Sequence, residues 1–266
     1  MTDEIATIQS VERLKILFET HSQRDEDYLT HSISLKVEEW SGKYLYKRLK
    51  DEEMNVLDRN NRPLKLLGDT GISRKQVFDI FKDVSTGEAT LEEVFVAVMA
   101  WGFKPKSYGP YRTSVMLSKP RKNRIVRDIL ESVAGENDPI AAYGKLANTL
   151  EGLGPAFGTK FLYFTSVEGN RAPILDAVVA NWLGRYGVRD VKGKWITPVG
   201  WNPKLYERYV QFCTEICEIL DISDRGLVEY LMFIDAQYSD YLEQGKAQPL
   251  WITSAVPLGW PVNKTT

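Results

Sequence analysis

Apolar positions recur along the chain at helical spacing. Between Ile5 and Phe18 they fall at Ile8, Val11, Leu14, Ile16, Leu17 and Phe18, which predicts an amphipathic helix. Leu35–Leu49 repeats the pattern less regularly. Met54–Leu66 has the polar centre Asp58-Arg59-Asn60-Asn61-Arg62-Pro63 between short apolar runs and reads as a small hairpin or turn. Ser73 caps a helix through Lys82 with Gln76 at the capping-box position, and Thr90 with Glu93 starts another that leads into apolar Val94–Trp101. Asn123–Val133 is a further helix, ended by Gly135. Asp138-Pro139 starts one that runs to about Leu150, since a proline at the first helical position loses no hydrogen bond. Helices follow over Pro155–Phe164, Asp176 to about Tyr186, Pro203–Leu220 and Ser223–Tyr241. The tail Pro249–Thr266, with three prolines, is extended. The expected fold class is therefore all-α, two packed helical lobes within a single domain of residues 1–266, with a minor β element near 54–66.

Composition narrows the class without naming it. The 266 residues are 43% hydrophobic and 26% charged, ordinary globular values. No apolar run approaches the roughly 18–20 residues of a membrane span, and no secretory signal opens the chain, so a cytoplasmic location is expected. The two cysteines, Cys213 and Cys217, are too few for a disulfide framework and read as core residues at i and i+4. His21 and His31 lie in the acidic N-terminal region, and no histidine triad or metal site is legible. A net charge of −2 argues on its face against a nucleic-acid partner. Its distribution argues the other way. Residues 1–60 hold 13 acids against 9 bases, whereas the 27 residues from Trp101 to Arg127 carry eight bases and no acid. Lys104, Lys106, Arg112, Arg121 and Lys122 are interleaved there with Trp101, Phe103, Tyr108 and Tyr111, a composition suited to a polyanion with stackable bases. A solvated basic loop is the plainer alternative. Arg185–Arg208 is a second, mixed basic stretch.

Candidate chemistry begins at Leu150–Phe164. Two helices flank Gly152-Leu153-Gly154, a helix-hairpin-helix in which glycines permit positive φ and close approach of a phosphate. The N–H groups opening the second helix then face the anion. Gly152, Gly154 and Gly158 are the phosphate-binding candidates. On that second helix Phe157, Phe161 and Phe164 form a stripe, and Lys160 lies about 60° from its centre. Such a lysine either snorkels or, partly desolvated, becomes a nucleophile. Sixteen residues on, Asp176 ends a Gly/Pro-containing loop at a helix start, where an aspartate is commonly a cap.

These segments, GLGPAFGTKFLYF and ILDAVVANWL in particular, resemble the helix-hairpin-helix DNA glycosylase superfamily. They are most similar to the 8-oxoguanine glycosylase (OGG) fold and its prokaryotic branch, which includes an anti-phage enzyme. The resemblance is strongest over about residues 138–186. It implies three regions: a helical lobe over 1–135, the hairpin and catalytic loop over 136–186, and C-terminal helices with the tail over 187–266. It also implies an enzyme that flips a base out of duplex DNA and cleaves its N-glycosidic bond. Asp176 would support positive charge on the sugar. In bifunctional relatives a lysine after the hairpin attacks C1′ and permits strand cleavage. The position usual for it holds Ala156 here, and Lys160 stands one turn later, so lyase activity is open. The resemblance places Glu229 where the family has a base-reading glutamine and Phe233, four residues on, where a phenylalanine stacks on the base; Phe233 in the core with Glu229 at its rim is the alternative. An ionised glutamate accepts hydrogen bonds and donates none, which suits an exocyclic amine. Trp101 and Phe164 complete the expected base site, with a core tryptophan the alternative for Trp101. The expected partner is double-stranded DNA bearing a damaged or modified base, either oxidised guanine for repair or a phage-type modified cytosine for defence. The enzyme is expected to be a monomer with no cofactor. A non-catalytic hairpin DNA-binding protein is the rival, and a nuclease lacks a metal-binding acidic cluster.

Overall fold

Local capping sets most of the helix starts in the computed structural model, which describes residues 5–21, 29–30, 32–35, 39–40, 71–103, 108–119, 121 and 125–243. Ser73 accepts from the Gln76 N–H and Gln76 returns a bond to the Ser73 N–H, opening α2. Thr90 and Glu93 do the same for α3. In chain order the elements are α1 (Ile8–His21), β1 (Ser32–Ser34), β2 (Gly71–Ser73), α2 (Arg74–Thr86), α3 (Leu91–Gly102), α4 (Tyr108–Ser118), α5 (Val126–Glu131), α6 (Pro139–Leu146), α7 (Pro155–Thr165), α8 (Ala177–Arg185), α9 (Pro203–Leu220) and α10 (Arg225–Glu243). The fold is all-α with a minor two-stranded antiparallel sheet.

That sheet pairs Ser32 with Ser73 and Ser34 with Gly71. A Cβ at Gly71 would lie 2.6 Å from Ser32 Oγ, so only glycine permits the pairing. The hairpin expected over 54–66, most of the helix expected over 35–49 and the proline-bearing tail lie outside the described residues. Two expectations are corrected. Tyr108–Ser118, read only as a basic stretch, is a helix that buries Thr113, Ser114, Met116 and Leu117. The helix begun by Asp138 stops at Leu146 rather than near Leu150, because Asn148 turns left-handed (φ 58°). Thr149 O then accepts from Arg121 N and Glu151 N donates to Lys119 O, so the chain leaves the helix to pair with the segment after α4.

The helices form two groups. Residues 94–100 of α3 are all buried, and α2, α4, α5 and α7 pack on this helix. In the second group α1, α8 and α9 pack on α10. A buried polar cluster fastens it: Asp235 Oδ2 accepts from Arg13 Nε (2.9 Å), Trp182 Nε1 (2.8 Å) and Tyr186 Oη (3.2 Å). Contacts of α6 with α9 and of α6 with α7 join the groups. Among the described residues no helix is long and apolar enough to cross a membrane.

Candidate active site

The hairpin that precedes α7 is held from three sides. Gly152 has φ 76°, and Arg112 Nη2 donates to its carbonyl at 2.7 Å while its guanidinium sits over Tyr108. Trp201 Nε1 donates to Leu153 O at 3.3 Å. Gly154 caps α7 without a side chain, and Pro155 follows at the first helical position. The N–H groups of Gly154 and Ala156 have no acceptor among the described residues. Gly158 does not share this role. It is buried, and a Cβ there would lie 2.3 Å from Trp201 Cη2, so this glycine admits an indole, not a phosphate. Arg121 is exposed and its backbone pairs with Thr149 beside the hairpin. Lys104, Lys106 and Lys122 lie outside the described residues.

Lys160 emerges from α7, a helix buried continuously from Gly158 to Thr165. Its stem passes Gly102, whose missing side chain makes the room: a Cβ there would sit 2.9 Å from Lys160 Cδ. The ammonium reaches Asp176 Oδ2 at 2.7 Å, with the two side chains 9% and 18% exposed. The loop carrying Asp176 is pinned along its backbone. Tyr206 and Tyr209 hydroxyls donate to Pro173 O (3.0 Å) and Ile174 O (2.9 Å), and the Leu175 N–H donates to Thr159 Oγ1 (3.1 Å). Asp176 Oδ1 then accepts from Val178 N and Val179 N at 3.0 and 3.2 Å, capping α8. Burial works to raise this carboxyl, but the Lys160 charge and hydrogen bond and the two N–H groups outweigh it and hold it below its ordinary 3.8. Asp176 is thus both cap and anion. Lys160 is not a free amine but half of an ion pair.

Beside this pair opens a cavity of about 260 Å³ between the two helix groups. Trp101 and Gly102 of α3, Arg74 of α2 and Lys160 form one wall; Asp176, Glu229 and Phe233 form much of the other. The size and the apolar lining with a few convergent charges suit a small heterocycle. Phe233 is half-buried and lines it, as does Trp101, whose indole N–H is buried without a hydrogen-bond partner among the described residues. Phe164 does not face the cavity. It is fully buried, packing against Phe78 at 5.0 Å and edge-on behind Trp101 at 5.1 Å, so it supports the wall without reaching a ligand.

Glu229 is more committed than its spacing suggests. Its Oε2 accepts from both Arg74 Nη1 and Nη2 at 3.1 Å, and both residues are almost fully buried. Burial pushes the Glu229 carboxyl up; Arg74 opposes this and the nearby Asp176 charge reinforces it. Arg74 is the site residue that sequence reading missed. A cation in the first turn of a helix opposes the helix dipole. That is the one local oddity that marks it, and nothing local links it to a glutamate 155 positions away. Cys213 and Cys217 are core and half-buried residues whose thiols burial pushes up, Cys217 to about 12.

A family model described as 8-oxoguanine DNA glycosylase OGG-like protein matches residues 26–233, a span that takes in every cavity residue named above. No curated protein and no solved structure matches the chain.

Proposed function

The chain belongs to the OGG-like protein family, and from that premise we propose that it excises a damaged or modified base from double-stranded DNA. The observation that carries this reading is the Lys160–Asp176 pair at 2.7 Å on the wall of a cavity sized for a small heterocycle. A base must leave the stack before its glycosidic bond is accessible. In the cavity Phe233 and Trp101 would offer aromatic faces and Glu229 a polar contact. As the base departs with the electron pair of the bond, positive charge grows on the sugar, and the ionised Asp176 carboxylate is the group that answers it. Water then adds to C1′ and the proton it releases passes to the departed base anion, leaving an abasic site and the neutral base.

Lys160 serves in this scheme as the partner that keeps Asp176 ionised and aimed. Schiff-base chemistry would require its amine to release a proton and turn away from Asp176. Outside the cavity, the unpaired N–H groups of Gly154 and Ala156 would receive a phosphate at the start of α7. Arg112 and Arg121, which bond to or beside the hairpin, would add charge near it. The protein would act as a monomer without a cofactor, in repair if the base is oxidised guanine and in phage defence if it is a modified cytosine.

The test uses duplexes containing 8-oxoguanine and duplexes containing hydroxymethylated or glucosylated cytosine, with released base detected by mass spectrometry. Wild type should release base from one class, and Asp176→Asn should abolish it. Unchanged release by Asp176→Asn would refute the mechanism, and DNA binding with no release from either class would favour a non-catalytic hairpin protein. Borohydride should trap no covalent adduct; a trapped adduct lost in Lys160→Met would make Lys160 the nucleophile.

A further inference from the structure

We infer that Arg74 is a positioning residue that makes Glu229 a fixed hydrogen-bond acceptor, so that the cavity selects bases whose presented edge carries an amino group. The inference rests on the reading of this cavity as the pocket for a flipped base.

The geometry is that of a clamp. The Arg74 guanidinium lies 5.0, 5.1 and 5.3 Å from the ring centroids of Trp101, Tyr163 and Tyr230, an aromatic enclosure that fixes the guanidinium plane. From it, Nη1 and Nη2 converge on one carboxylate oxygen, Oε2 of Glu229. The other oxygen, Oε1, takes no hydrogen bond from a described residue, and Glu229 lines the cavity. One oxygen is thus spent on orientation and one is left for a ligand.

Stability gives little reason for this arrangement. A buried ion pair is commonly no more stabilising than apolar residues of the same volume. Arg74 also stands at the first position of α2, where the helix dipole opposes a cation. What the pair provides is one carboxylate oxygen held by two N–H donors, with the other left as an acceptor. Burial and the Asp176 charge push this carboxyl up, and the guanidinium opposes them. An ionised carboxylate repels a carbonyl oxygen and accepts from an amine, the same complementarity by which acidic side chains read cytosine N4 in a DNA groove. Discrimination therefore depends on whether the exocyclic group that faces Glu229 is an amine or a carbonyl.

Isosteric base pairs isolate that property. Binding is measured by fluorescence anisotropy to duplexes in which one nucleotide faces an abasic spacer. That nucleotide carries cytosine or uracil, or adenine or hypoxanthine, on a 2′-fluorinated sugar that resists excision. Wild type should prefer the amino member of at least one pair by about ten-fold or more, the range expected for a hydrogen bond to a charged group. Glu229→Gln, which keeps the shape but turns an N–H donor toward the cavity, should invert the preference. Arg74→Gln should erase it, and Arg74→Lys should retain part of it. If a variant fails to fold by circular dichroism, the wild-type preference alone still decides. Tight binding without preference in either pair, or a preference untouched in folded Glu229→Gln, overturns the inference while leaving the glycosylase reading intact. Failure to bind any duplex, together with no base release from the damaged duplexes, overturns both.

Discussion

Breaking the Lys160–Asp176 pair from each side separates its chemical from its structural role. With side chains 9% and 18% exposed, each partner left alone is a nearly buried charge. Removing one partner of such a pair costs about 3 kcal/mol. Asp176→Ala also deletes the cap bonded to Val178 N and Val179 N, a further loss of about 1 kcal/mol. Asparagine caps nearly as well, so Asp176→Asn should be the milder variant by about that 1 kcal/mol. Lys160→Met leaves a carboxylate that still has two N–H donors and should lose roughly 2–3 kcal/mol. The combination Lys160→Met with Asp176→Asn removes both charges and keeps the cap. It should therefore lie within about 1 kcal/mol of wild type, since an apolar replacement of a buried pair is often neutral. Urea unfolding of the four proteins measures the cycle, and all three variants should fail to release base. If the combined variant loses the sum of the two single losses, the side chains are not energetically coupled and the site as described is wrong. The pH dependence carries the same signature. Because the folded Asp176 carboxyl is held below 3.8, its contribution is full above that value and lost as pH falls below it. The combined variant should lack this loss.

Glycine and the second-group charge cluster supply three further tests. Gly102→Ala puts a Cβ 2.9 Å from Lys160 Cδ and 3.0 Å from Phe157 Cε1. The lysine stem can yield, but shifting it weakens the ion pair, so stability should fall by about 1–2 kcal/mol. Base release should fall roughly 10- to 100-fold, because the displaced ammonium no longer aims Asp176. Gly158→Ala sets a Cβ 2.3 Å from Trp201 Cη2 and should destabilise by about 1–3 kcal/mol or more, read as a lowered Tm. It should also weaken duplex binding, since Trp201 braces the hairpin through Leu153 O; a Tm equal to wild type would contradict the packing. Asp235→Ala removes the buried carboxylate that accepts from Arg13, Trp182 and Tyr186 and should cost about 3–5 kcal/mol by urea unfolding.

What the sequence discloses about this site is what short-range chemistry controls. Both capping boxes, the Asp138-Pro139 start and the full extent of Pro203–Leu220 follow from residues within a turn of one another, and the structure has them where spacing puts them. Asp176 as a helix cap belongs to the same class. Facing directions do not. Phe157, Phe161 and Phe164 share a stripe, yet Phe157 stacks on Phe103 at 4.2 Å near Lys160 while Phe164 is sealed behind Trp101. None of the three rings lines the cavity, and it is the packing of α2 and α3 against the stripe that decides this. Gly158 looked like part of the hairpin because glycine serves turns and tight packing equally; the indole that requires it arrives from 43 residues downstream. α4 is not legible in the sequence because Gly109 and Pro110 stand in its first turn and read as a loop. Arg74 and Glu229 meet only when the two helix groups close.

The arrangement of charge separates affinity from selection, and this can be measured. Within the cavity the named charges occur as two closed pairs, Lys160 with Asp176 and Arg74 with Glu229, so the lining presents no net field from them to draw in a polyanion. On the proposed reading, attraction must arise outside, from the hairpin N–H groups, Arg112 and the basic stretch, in a chain whose total charge is −2. Exposed phosphate contacts release counterions and weaken steeply with salt, whereas buried pairs are screened far less. Raising salt from about 50 to 200 mM should therefore weaken binding to every duplex by the same large factor. The ratio between isosteric bases should stay fixed. Arg112→Gln should reduce the salt slope and leave that ratio alone, while Glu229→Gln should change the ratio and leave the slope alone. A base preference that collapses along with affinity as salt rises would mean that the selecting contact is solvent-exposed. The Arg74–Glu229 clamp, 4% and 1% exposed, could not then be its source.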